Sequence, residues 1–225
     1  MSNLGGEDVK YTATIHMGGA SPVASLQSAA MAVATGIANN VLCVAGWNAY
    51  SGTRVSTGTP AQFQSPVSQV IPMSQLMDFE FPYGTIVPAQ WYAPMARRHM
   101  HEYGTTSRQF GAVAVAMRKH AQLNNNALMR GKPMTIEDHQ NSRMIADPFR
   151  LLDCSLESDG AAAVVVTSVE RARDMRNRPI YIMGVAEGRT TPPDQISNRP
   201  LLTEAGVKKA APRAFAMAGL TPKDI

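Results

Sequence analysis

Cysteine is scarce in this chain: two among 225 residues, Cys43 and Cys154. That excludes a disulfide scaffold and any zinc site built from several thiolates. Long apolar runs are also missing. The existing ones are short and interrupted, well under the roughly 20 consecutive residues that a bilayer-crossing helix needs. The opening MSNLGGEDVK has no basic region followed by an apolar one, so no secretory signal is read and a cytoplasmic protein is expected. No block of five or six like charges occurs, which removes support for nucleic-acid binding. What is present is a globular composition, 44% apolar and 17% charged, with a net charge of +4. The length suits one or two domains. The mild positive field suits an anionic small ligand, and solubility explains it equally well.

The element pattern is α/β. YTATIHM (11–17) reads as a strand, rich in Thr, Tyr and Ile. A small-residue turn follows, Gly18-Gly19-Ala20. Ser21 is placed to cap a helix and Pro22 to occupy its first position. Val23, Leu26, Ala30, Val33 and Ile37 then repeat at helical spacing as one apolar face. VLCVAGW (41–47) reads as a strand buried on both faces. Residues 49–90 are irregular and suit a lid, a binding loop or an assembly surface. Within them Met73, Leu76, Met77, Phe79 and Phe81 could form a short packed piece. Helices are expected over 89–103 and 105–122, the second with Phe110, Val113, Met117 and Ala121 as its apolar face. A short helix over 135–141 carries Thr135 and Asp138 as a capping pair. A loop over 144–160 leads to a buried strand, 161–167, then a helix, 168–177, and another strand, 179–188. A linker with Pro192, Pro193 and Pro200 precedes a helix over 201–218, closed by Gly219, where Pro212 predicts a kink or a late start.

Several residues invite chemistry. The strand–GGA–helix turn offers amides at a helix N-terminus, which hold anions and developing oxyanions; a tight turn needing small residues reads the same way. Ser21 fails as a nucleophile elbow, because the last glycine of G-x-S-x-G is absent. His99 and His101, two apart on a helix, point to different faces and do not chelate one metal. No metal site is expected. His16 stands just before the turn and either faces the same pocket or is structural. His120 and His139 carry no signal. Cys43, mid-strand, reads as an inert buried thiol, and Cys154 as structural or reactive. Asp159-Gly160 reads as turn chemistry.

Four stretches resemble the thiolase superfamily, most closely the sterol-carrier-protein-type thiolases and thiolase-like lipid-transfer proteins. They are TIHMGGASPVASLQSAAMAVATGIANNVLCVAG, ARRHMHEYGTTSRQFGAVAVAMRKHAQLN, MTIEDHQNSRMIADPFRLLDC with SLESDGAAAVVVTS, and AAPRAFAMAGLTPKDI. The resemblance implies an αβαβα fold, a mixed five-stranded sheet between helices, with the second half truncated. It places 1–178 in the N-terminal half, with a loop or lid region over 49–150, and 179–225 at the start of the C-terminal half. The family's first elements would precede Tyr11. The loops with its catalytic His and second Cys would follow Ile225.

The resemblance also assigns roles. The family's acyl-carrying cysteine falls at Gly19, which can form no acyl-enzyme. His16, Gly18, Gly19 and Ala20 become an oxyanion and substrate cradle, and Ser155 a contact for the pantetheine of coenzyme A. A helix N-terminus stabilises a thiolate. With glycine there the amides remain and the nucleophile is gone. The implied protein handles a CoA thioester as substrate or ligand, with no tightly bound cofactor. Its chemistry would be non-covalent carbon–carbon bond cleavage. The alternatives are a non-catalytic acyl-CoA or lipid carrier, or a truncated subunit needing a partner. A homodimer or higher oligomer is implied, with a hetero-partner chain also open, and neither nucleic acid nor a membrane span.

Overall fold

The computed structural model describes residues 5, 7–52, 80–85, 87–190 and 199–225. The expected packed piece at 73–79 and most of the proline linker lie outside them. Two compact units are present. One joins Met1–Gly52, Ser158–Arg189 and Gly206–Ile225; the other joins Thr53–Glu157 and Thr190–Ala205.

The first unit is built on a strand pair. Helix α1 (Ser21–Ala34) precedes strand β1 (Asn40–Asn48), which pairs antiparallel with β4 (Asp159–Thr167) in unbroken register from Asn40 opposite Thr167 to Asn48 opposite Asp159. β1 is therefore not a strand buried on both faces. Its burial alternates over residues 41–45, with Val41, Cys43 and Ala45 partly covered and Leu42 and Val44 exposed. Period-two burial is what a sheet covered on one face produces. Helix α1 forms where expected but is turned. Its buried residues are Ala24, Ala29 and Ala32, while Val23 and Ile37 of the expected face are exposed. Alanine lets a helix axis approach the strands closely, so small side chains, not large ones, face β1 and β4.

Other expectations shift at the edges. Residues 11–16 form no strand and have no ladder partner among the described residues. Residues 179–188 likewise form no strand. The helix expected over 168–177 is shorter, α5 (Val169–Arg173), capped by the Ser168 hydroxyl accepting from Arg171 N. Helix α6 (Val207–Ala218) starts six residues later than expected, with Pro212 inside it, and ends at Gly219.

The second unit is helical. It holds α2 (Pro88–Tyr103), α3 (Ser107–Leu123), α4 (Ile136–Asn141) and a small hairpin of β2 (Met144–Ala146) and β3 (Phe149–Arg150). A 3₁₀ turn, Leu151–Asp153, leads out of β3. The capping pair on α4 is formed: Thr135 Oγ1 accepts from Asp138 N at 3.1 Å, and Asp138 Oδ2 accepts from Thr135 N at 2.8 Å. On α3 the expected apolar face is only partly used. The Phe110 ring meets the Phe149 ring at 5.8 Å, but Val113 and Met117 are exposed. The buried position on α3 is Gly111, which faces α4. Among the described residues, no helix is long and apolar enough to cross a membrane.

Candidate functional site

The turn before α1 is the first candidate. Its backbone folds on itself: Ala20 N donates to Met17 O and Ser21 N donates to Gly18 O, both at 3.1 Å. Ser21 is not the N-cap. Ala20 occupies that position, and Ser21 is the first helical residue. The Ser21 hydroxyl instead reaches back over the turn, accepting from Met17 N and donating to Gly18 O, each at 2.8 Å. An N-cap hydroxyl would accept from an amide of the first helical turn. The helical conformation of Ala20 moves the cap one residue earlier and leaves the serine free to tie the turn.

His16, Gly18, Gly19 and Ala20 are all exposed. They lie within the five residues 16–20 leading into the N-terminus of α1, where the helix dipole favours negative charge. The two glycines differ. Gly18 has φ +55°, a left-handed conformation that a side chain strains. Gly19 does not lie in that region, and a Cβ built on it meets nothing within 4 Å. Among the described residues, neither the backbone nor a neighbouring atom requires glycine at 19. A cleft of about 650 Å³ opens alongside, bordered by Tyr11, Ser21, Ser25, Ser28 and Cys43 among others.

The two thiols offer no evident substitute. Cys43 is half-buried rather than enclosed, and its Sγ lies 3.7 Å from Ser25 O. Cys154 follows the 3₁₀ turn in the other unit, half-buried, with Sγ 3.5 Å from Arg150 O. Burial, and then the neighbouring Asp153 charge, push its pKa above the ordinary thiol range. Both effects disfavour the thiolate that nucleophilic attack requires. Ser155, also in that unit, is exposed, with Oγ 3.4 Å from Leu156 O.

Two other histidines, His99 and His139, are spent locally. His99 Nδ1 lies 2.8 Å from Thr105 Oγ1, and its ring packs on Tyr103 at 4.6 Å. His139 was missed by sequence reasoning. It is fully buried, with Nε2 2.6 Å from Asp153 Oδ1. Nothing at its own position gives this away; the partner lies fourteen residues on, beyond a hairpin. Asp159 does more than make a turn: its Oδ1 accepts from Tyr50 N at 2.8 Å and Ser51 N at 3.0 Å, tying the end of β1 to the start of β4.

No family model matches the chain. It is 45% identical over 225 residues to 17-hydroxy-3-oxo-4-pregnene-20-carboxyl-CoA lyase of Mycobacterium tuberculosis, covering 97% of this chain and 56% of the relative. It is 39% identical over 202 residues to acetyl-CoA acetyltransferase of Methanothermobacter thermautotrophicus, covering 89% of this chain and 49% of the relative. Among solved structures, a chain described as Ltp2-ChsH2(DUF35) aldolase superposes with a TM-score of 0.79 at 43% identity, over 92% of this chain and 51% of that one. A monomeric SCP2-thiolase like protein from Mycobacterium smegmatis shares the fold, with a TM-score of 0.69 at 18% identity over 93% of this chain and 42% of that one. The chain belongs to the thiolase superfamily.

It spans about half the length of the curated relatives it matches. The thiolase-like α/β fold accounts for the placing of α1 beside the β1–β4 pair. Gly19 stands just before the N-terminus of α1. The similar lyase and aldolase are named for bond cleavage, and the similar acetyltransferase for acyl transfer.

Proposed function

We propose that this chain is part of a thiolase-superfamily protein that cleaves a carbon–carbon bond in a β-hydroxyacyl-CoA thioester without forming an acyl-enzyme. Residues 1–178 would belong to its N-terminal half and 179–225 to the start of its second. One observation carries the reading: position 19 is sterically open and conformationally ordinary, yet has no side chain. The similarity to a CoA-ester lyase and to an aldolase supports it.

The reaction balances as a retro-aldol step. A base removes the proton of the β-hydroxyl. The oxygen's electron pair forms a ketone as the Cα–Cβ bond breaks. That bond's electrons pass to the thioester carbonyl, giving an enolate whose oxygen carries the charge. Protonation at Cα releases a shorter acyl-CoA. The role of this chain is to hold the developing oxyanion. The amides of Gly18 and Gly19, with His16 beside them, would supply the donors, the Ala20 amide being bonded to Met17 O within the turn. Ser155 would contact the pantetheine. The similar aldolase is described by two joined components, which favours a hetero-partner for this chain.

The test is turnover of a β-hydroxyacyl-CoA by the protein with whatever partner co-purifies. The expected products are a ketone and a shortened acyl-CoA, while intact mass shows no acylated residue. A stable acyl adduct on Cys43 or Cys154 overturns the non-covalent reading.

A further inference from the structure

The buried imidazole of His139 has no place in the proposed chemistry, yet every polar atom of its ring is specified. Nε2 meets Asp153 Oδ1 at 2.6 Å, and Nδ1 meets the Gln140 side-chain Nε2 at 2.9 Å. The same Gln140 nitrogen lies 3.2 Å from Ser107 Oγ on α3. An amide nitrogen only donates, so Nδ1 accepts and the ring hydrogen sits on Nε2, aimed at Asp153. The carboxylate is used twice: its Oδ2 accepts from Arg150 N at 2.8 Å. Asp153 thereby caps the 3₁₀ turn from inside while His139 clips that turn to α4. The ring is seated against Gly111, where a Cβ would come within 2.7 Å of Nδ1. The next residues out of the turn are Cys154 and Ser155. Arg150 also fixes the approach, through its Nη1 donating to Ser142 O at 2.9 Å.

We propose that His139 and Asp153 form a positioning pair: the Nε2–H···Oδ1 bond sets the loop 154–157 so that Ser155 is presented to the pantetheine arm of a CoA thioester. The inference rests on the assignment of Ser155 in the proposed function. The pair is not a proton-transfer couple, because His139 is sealed from solvent and from any ligand by α3, α4 and the turn. Its geometry acts through the loop. A rigid second layer of hydrogen bonds is what keeps a contacting side chain within the tolerance that binding requires.

Two variants separate positioning from mere folding. His139→Leu removes the donor, and His139→Gln keeps an N–H donor at about the Nε2 position. The measurements are calorimetric affinity for acetyl-CoA and for acetyl-pantetheine, which lacks the nucleotide, together with amide hydrogen exchange. His139→Leu is expected to weaken both ligands by the same factor, about tenfold, equivalent to the loss of one hydrogen bond. Exchange should quicken at residues 154–157 by more than the general loss of protection that stranding the Asp153 carboxylate imposes on α3 and α4, and His139→Gln should restore both readouts. Loss of protection throughout α3 and α4 in both variants, or unchanged exchange at 154–157 in His139→Leu, overturns the positioning role. If wild type binds neither ligand, the assignment of Ser155 fails, and the exchange pattern alone still decides whether the pair sets the loop.

Discussion

The turn before α1 and the cluster around His139 solve opposite problems with opposite means. The turn is exposed and made of backbone: its donors are amides, and its one side-chain tie is the Ser21 hydroxyl. The cluster is centred on a buried imidazole, with His139, Gln140, Ser107, Asp153 and the Arg150 amide joined at 2.6–3.2 Å. The exposed amides of Gly18 and Gly19 cost little to leave unfilled, because water satisfies them. A buried imidazole–carboxylate pair has no such reserve, since an unpaired polar group away from water is expensive. Substitution should therefore be felt as stability in one region and as chemistry in the other.

The largest effect is expected from His139→Ala. It opens a cavity and strands the Asp153 carboxylate, costing about 3–5 kcal/mol. Thermal or urea denaturation measures it, and a loss below about 1 kcal/mol would erase the distinction between the regions. Gly111→Ala comes next. Its Cβ would press on the His139 ring, and overpacking of this kind costs about 1–3 kcal/mol.

The two turn glycines should then part company. Gly18→Ala, at φ +55°, is expected to cost about 1–2 kcal/mol. Gly19→Ala should be neutral or stabilising by up to about 1 kcal/mol, through a less flexible unfolded chain. Equal losses at 18 and 19 would show that position 19 is constrained after all. Gly19→Cys sharpens the contrast in reactivity. A thiol there should alkylate with iodoacetamide faster at neutral pH than Cys154, whose rate should rise only above the ordinary thiol range. Acyl transfer from acyl-CoA onto the new thiol is the corresponding gain by mass.

The smallest effect is electrostatic. Hydrogen bonds from the Thr135 backbone, and then its side chain, lower the pKa of exposed Asp138. A carboxyl lowered in the folded state stabilises above its unfolded pKa, near 4, and loses that contribution as pH falls through the folded value. The first turn of α4 should therefore fray on acidification, visible as faster amide exchange, and Asp138→Asn should remove the pH dependence. Exposure keeps this effect small beside the buried pair.

Local chemistry was legible in the sequence and packing was not. The Thr135–Asp138 cap, the helices α2 and α3, and the glycine-rich turn all rest on residues within a few positions of one another. The buried face of α1 was misjudged, because periodicity marks apolar positions without saying which must be small. β1 was taken as doubly covered because a run of apolar letters cannot state how many layers lie upon it. His139 was passed over because its partner is brought to it by the β2–β3 hairpin and the turn after it.

By itself the sequence determined that a small-residue turn opens α1, that no side chain stands at position 19, and that four stretches carry a thiolase-like pattern. These are matters of covalent identity and short-range geometry. Only the tertiary structure decided that glycine at 19 fills no steric or conformational need, that Ser21 ties the turn instead of capping the helix, and that His139 and Asp153 meet. Each of those depends on distances between atoms that chain connectivity leaves free and that packing alone sets.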